Sequence, residues 1–148
     1  MNRTEGDVCF TLVHPMYVDD CWIDAGRYLN KAAKTSHGRY DILDIRRDIH
    51  FGNQQLWILF DVDDNMIAAI TTMFSFYPQK KALVIAFCGS NDDTGWVKHR
   101  SLVVGTLNDF ARENGCDSLE LSGRAGWEKV LKSLGFEKSF TTLEMEVT

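Results

Sequence analysis

Between Gln54 and Ser90 the chain holds three apolar runs of strand length, divided by very short connections. They read "QQLWILFDV", "MIAAITTMFSFYP" and "QKKALVIAFCGS". The first connection, "DVDDNM", is rich in Asp and Asn, which form turns by bonding their own backbone. The second is "PQKK", opened by Pro78. Connections this short cannot carry a crossover, so the three strands must form an antiparallel meander. That requirement shapes everything else the chain can be.

The flanks supply the rest of the layers. "VCFTLVHP" reads as a strand ended by Pro15. In the segment after it, Tyr17, Val18, Cys21, Trp22, Ala25, Tyr28, Leu29 and Ala32 recur at three and four, the period of an amphipathic helix stopping near Gly38. "YDILDIRRDIHFG" sets Ile42, Ile45 and Ile49 on one face, a shorter helix closed by Gly52. Beyond the meander, a long helix is predicted over 96–114, with Val97, Leu102, Leu107 and Phe110 as its buried stripe and Gly115 as its cap. "DSLELSG" is a short strand. A helical crossover demands parallel neighbours, so 119–121 should lie parallel beside the last meander strand. "AGWEKVLKSLG" is a helix that buries Trp127, and "FEKSFTTLEMEV" alternates loosely as a final strand. The expected order is β-α-α-β-β-β-α-β-α-β. This is a single α/β domain over residues 1–148, with a mixed, mostly antiparallel central sheet flanked by helices.

Charge and cysteine usage narrow the function classes. The formal net charge is -5, which disfavours general nucleic-acid binding, because phosphate backbones need a basic face. Cys9, Cys21, Cys88 and Cys116 show neither a CxxC pair nor metal-ligand spacing. Scattered thiols without a signal peptide suggest a cytoplasmic protein. The longest apolar run, "ALVIAF", is too short to span a bilayer. His14, His37, His50 and His99 are scattered, so no metal site is expected. Neither GxSxG nor GxxxxGK[ST] occurs. "DVDDN" resembles the start of an EF-hand loop but lacks its Gly and distant Glu, so a hairpin turn is expected there.

The element order, with "LGF" opening the last strand, resembles the GCN5-related N-acetyltransferase (GNAT) family. The most similar segment is "ARENGCDSLELSGRAGWEKVLKSLGFEKS". The compact ending also resembles small GNAT-like proteins of tailed bacteriophages. The resemblance implies acetyl-CoA as cofactor and a small-molecule or protein amine as acceptor. The phage likeness implies a second possibility: an inactive relative that contacts phage structural or host proteins, in the host cytoplasm or the virion.

In the family, a turn after the fourth strand, patterned Gln/Arg-x-x-Gly-x-Gly/Ala, aims backbone N–H groups at the pyrophosphate, helped by the next helix's N-terminus. The matching stretch here is "CGSNDDTGWVKHRS". It offers Gly89, Ser90, Gly95, Trp96, Lys98 and Arg100 as cofactor-binding candidates. It departs from the pattern, because Gly89 and Gly95 are separated and Asp92 and Asp93 stand between them. Each carboxylate beside a pyrophosphate costs on the order of 1–3 kcal/mol. The plainer alternative is a turn in which Asp93 or Thr94 caps the helix and the basic triplet is a wet face. Acyl transfer to an amine needs a proton acceptor. Glu120 and Ser122 are the catalytic candidates, with Glu128 and Cys88 nearby in sequence to the expected cleft. The Tyr that commonly serves the family as acid in the following helix is absent from "AGWEKVLKSLG".

Overall fold

A computed structural model describes residues 1–91, 95–123 and 126–148. Asp92, Asp93 and Thr94, on which the acidic turn and the helix cap were expected, lie outside the described residues. The sheet has six strands in the order β1-β2-β3-β4-β5-β6, the order of the chain itself. They are β1 (Asn2–Glu5), β2 (Val8–Val13), β3 (Gln55–Asp61), β4 (Met66–Tyr77), β5 (Lys80–Ser90) and β6 (Ser118–Leu121). The expected meander forms β3, β4 and β5, all antiparallel. β6 lies parallel to β5, with Leu83 opposite Leu119 and Ile85 opposite Leu121. The first hairpin turn is built by Asp61, whose carboxylate accepts from the backbone N–H of Asp63 (2.9 Å) and of Asn65 (3.0 Å).

The helices are α1 (Val18–Ala33), α2 (Ile42–His50), α3 (Arg100–Glu113) and α4 (Gly126–Leu131). α1 ends before the expected Gly38, through a turn with His37 and Gly38 at positive φ. α2 begins with a reciprocal capping box. Asp41 accepts from the Asp44 backbone N–H, and Asp44 accepts from that of Asp41. α1 and α2 cover one face of the sheet, burying Leu29, Ile45, Ile49, Leu56 and Ala69. α3 covers the other, packing Leu107 over Phe10, Trp57, Ile70 and Leu83. Trp57 is fully buried there, with its ring between Phe10 and Phe110. Its indole N–H donates to Thr72 (2.9 Å), whose hydroxyl in turn donates to Gln55 (2.9 Å). The buried polar tip is therefore satisfied.

Two expectations change. β1 was not foreseen. Its sequence "NRTE" has no apolar alternation and every residue is exposed, because it is an edge strand held by backbone bonds to β2. The final strand does not form. Residues 136–148 carry no regular structure, and Phe140, Leu143, Met145 and Val147 stand 74%, 91%, 85% and 89% exposed. β6 has four residues and offers little edge for pairing. The tail instead reaches the turn after α1, where Arg39 bonds Glu144 at 2.6 Å.

Candidate functional site

The site expected from the sequence sits where β5 and β6 part. Their pairing ends at Ile85 and Leu121, while β5 runs on to Ser90. At the same level the β4–β5 register skips Ala86: Thr71 faces Phe87 and Thr72 faces Ile85. This is a bulge, which bends a strand and sharpens its twist. Beyond it, among the described residues, no strand pairs with the outer edge of residues 86–89. A parallel pair that diverges beside a bulge leaves a wedge with backbone groups along one wall.

On the α3 face that wedge is filled. Trp96, 4% exposed, and Leu131, 2% exposed, enter it from the start of the helical crossover and from α4. With Ile70, Ile85, Cys88, Val103, Val104 and Leu121 they enclose an apolar void of about 10 Å³. A void that small and apolar holds at most one poorly bonded water. Trp127 is half-buried and packs against Trp96 with the rings tilted by 35° and their centres 4.9 Å apart. The thiol of Cys88 is enclosed, and burial pushes it up to about 12.

The candidate cofactor residues distribute unevenly around this point. Gly89 faces α1: a Cβ there would lie 2.0 Å from the carbonyl oxygen of Tyr28, so helix packing demands the glycine. Ser90 ends β5, and Gly95 begins the turn that leads to Trp96. Lys98 is exposed in a 3-10 turn, Val97–His99. Arg100 folds back, donating to the Val97 carbonyl oxygen at 2.9 Å, while its Nε is buried with no hydrogen-bond partner among the described residues. Of the catalytic candidates, Ser122 is exposed just past β6. Glu120 is half-buried on the α1 face and accepts a 2.8 Å hydrogen bond from the Tyr77 hydroxyl, which raises the phenol's pKa. Tyr77 belongs to the β4–β5 hairpin end, so this bond draws the carboxylate away from the bulge. The structure thus brings Cys88 and Trp96 together on the α3 face and turns Gly89 to the opposite layer, against α1. Glu128 is exposed on α4.

Cys88 was named from the sequence, whereas Ala86 and Phe87 were not, and the bulge is what sets these three apart. Their sequence signal is slight: "VIAFCG" interrupts its large side chains with Ala86.

No family model matches the chain. No curated protein matches it in sequence. Solved structures do match in shape. A probable acetyltransferase superposes with a TM-score of 0.71 at 11% identity, covering 94% of this chain and 97% of its own. The fold is that of the GNAT acetyltransferases. The ribosomal-protein-alanine N-acetyltransferase of Brucella melitensis gives 0.66 at 15% identity, over 93% of this chain and 99% of its own. The glucosamine-6-phosphate N-acetyltransferase of Arabidopsis thaliana gives 0.65 at 12%, over 97% and 100%. Likeness at such identity is a likeness of fold, and a GNAT fold hosts more than one function.

Proposed function

We propose that the chain is an N-acyltransferase of the GNAT fold with a divergent cofactor loop, using acetyl-CoA and an amine acceptor. The observation that carries this reading is the parting of β5 and β6 beside the bulge at Ala86. It leaves strand-edge backbone groups where an extended amide-bearing arm can bond. Gly89, Ser90, Gly95, Trp96, Lys98 and Arg100 flank that edge in the sequence, and Lys98 is the exposed cation among them able to meet a phosphate. Glu120 would take the ammonium proton, and Ser122, two residues on, is the other catalytic candidate. As the side chains stand, the wedge does not admit the cofactor: Trp96 and Leu131 occupy it, and both must give way for acetyl-CoA to enter from the α3 face.

That filling favours a second reading, an inactive GNAT-like phage protein with a virion, assembly or interaction role. Calorimetric titration with acetyl-CoA separates the two. The enzyme reading expects binding, weaker in Lys98→Ala, and acetyl transfer to some member of an amine panel detected by mass. Absence of heat at millimolar cofactor would leave the interaction role.

A further inference from the structure

The chain holds a single Asn-Gly pair, Asn114–Gly115, and α3 ends on it. Such a pair is open to a reaction that other asparagines undergo slowly, because glycine has no Cβ to keep its backbone nitrogen from the side chain before it. The Gly115 nitrogen attacks Cγ of Asn114. The new C–N bond closes a cyclic imide, the Cγ–Nδ2 bond breaks, and the proton from the Gly115 nitrogen leaves with Nδ2 as ammonia. Water then opens the imide at either carbonyl, giving aspartate or isoaspartate. Water is the only co-reactant.

In the folded chain the reacting atoms are held apart. Asn114 has φ -101° and ψ 15°. The imide needs the Gly115 nitrogen on the same side as Cβ, so the Cα–C bond of Asn114 must rotate well away from this angle. Three contacts oppose the rotation. Nδ2 of Asn114 donates to the Phe110 carbonyl oxygen at 2.8 Å, which anchors the leaving group one turn back. The Gly115 N–H donates to Arg112 at 3.1 Å and the Cys116 N–H to Ala111 at 2.9 Å, the paired bonds of a Schellman cap with Gly115 at φ 72°. The third contact comes from the sheet. The Lys81 ammonium on β5 donates to the Asn114 carbonyl oxygen at 2.6 Å, gripping the group that has to turn. Lys81 is itself positioned, 4.6 Å from the centre of the Phe74 ring and 5.2 Å from that of Phe76. The first two contacts are local and open whenever the last turn of α3 frays. The Lys81 bond ties that turn to the sheet.

We propose that Asn114 is a modification site, where side-chain ammonia is lost to the Gly115 nitrogen, and that Lys81 is the latch that keeps it intact in the folded chain. The damage falls on β6. A carboxylate at the end of α3 meets the negative end of the helix dipole. Isoaspartate also adds a backbone carbon just before Asp117, whose N–H donates to the Lys81 carbonyl oxygen at 2.7 Å and whose carboxylate accepts from the Lys81 N–H at 3.0 Å. Those bonds set where β6 begins, so its register against β5 would loosen. This inference stands whether or not the chain is an enzyme.

Incubation of the full chain in mildly alkaline buffer, followed by peptide mass spectrometry over time, reads the rate at each asparagine. In urea, Asn114 should lose its amide faster than any other asparagine. In the native chain it should lose it about tenfold more slowly or less. Lys81→Met should raise the native rate by about tenfold, the weight of one hydrogen bond to a charged group. Lys80→Met, next along and exposed, should leave it unchanged. Phe76→Ala loosens the ammonium without unfolding the domain, since Phe76 is 75% exposed, and should raise the rate by a smaller factor. Hydrogen exchange of the β3 and β4 amides shows whether each variant is folded. An Asn114 that outlasts the other asparagines in urea overturns the proposal, as does a native rate equal to the unfolded one. So does a folded Lys81→Met no faster than Lys80→Met. If Lys81→Met loosens the β3 and β4 amides, Phe76→Ala decides, and an unchanged rate there overturns the proposal too.

Discussion

Gly89 and Cys88 sit side by side on β5 and face opposite layers, so each reports on a different neighbour. Gly89→Ala would press a methyl group against the Tyr28 carbonyl, backbone against backbone. Neither helix nor strand can yield cheaply, and the expected cost is about 1–3 kcal/mol in chemical denaturation. Unchanged stability with lost acetyl-CoA binding would instead assign the glycine to the cofactor. Cys88 makes a pH prediction. Its folded pKa, about 12, lies above the ordinary thiol value, because burial disfavours the thiolate. Below pH 9 the thiol is neutral in both states and the folded protein loses nothing. Between about 9 and 12 the unfolded chain gives up a proton that the folded chain keeps, so stability falls as pH rises through that window. Native Cys88 should resist thiol reagents at pH 8 and react only on unfolding. Labelling in the native state as fast as a free thiol would show an open wedge.

At the scale of elements, the wedge is filled by Trp96 and Leu131, and Trp127 of α4 packs on Trp96. Trp127→Ala removes a half-buried ring packed on Trp96. We expect a loss of about 2–3 kcal/mol, under the range for a fully buried tryptophan. If the wedge is the cofactor's place, the same variant should bind acetyl-CoA more tightly despite its lower stability. Lower stability with unchanged affinity would assign the Trp pair to packing alone. These elements were unequally legible. The meander could be read because turn chemistry at Asp61 and Asn65 agrees with apolar runs of strand length on either side, and the parallel β6 followed from its helical crossover. The α2 cap was not noticed, although Asp41 and Asp44 stand at capping-box spacing. β1 gave no signal, since an exposed edge strand needs no apolar pattern. The site was the least legible part. Gly89 looked like a phosphate-loop glycine, and only the distance to Tyr28 shows what else requires it. Alternation in the tail predicted a strand, but alternation specifies a strand's faces and not its partner.

For the whole molecule, the sheet order that repeats the chain order has a consequence during synthesis. Every strand joins the edge left by the one before it, so a nascent chain can build the sheet in the order it emerges from the ribosome. The long waits are β2 for β3, across two helices, and β5 for β6, across α3. By the time β5 is out, α1 and α2 are already available to close their face. The opposite face, with Phe10, Trp57, Ile70 and Leu83, stays bare until α3 has emerged some twenty residues later. Nascent chains that have emerged to about residue 91 should therefore present that apolar face to chaperones and proteases, and chains that have emerged past 121 should not. Protection that appears only at full length would mean that the two faces close together after release, and that the orderly strand sequence plays no part in how the protein first folds.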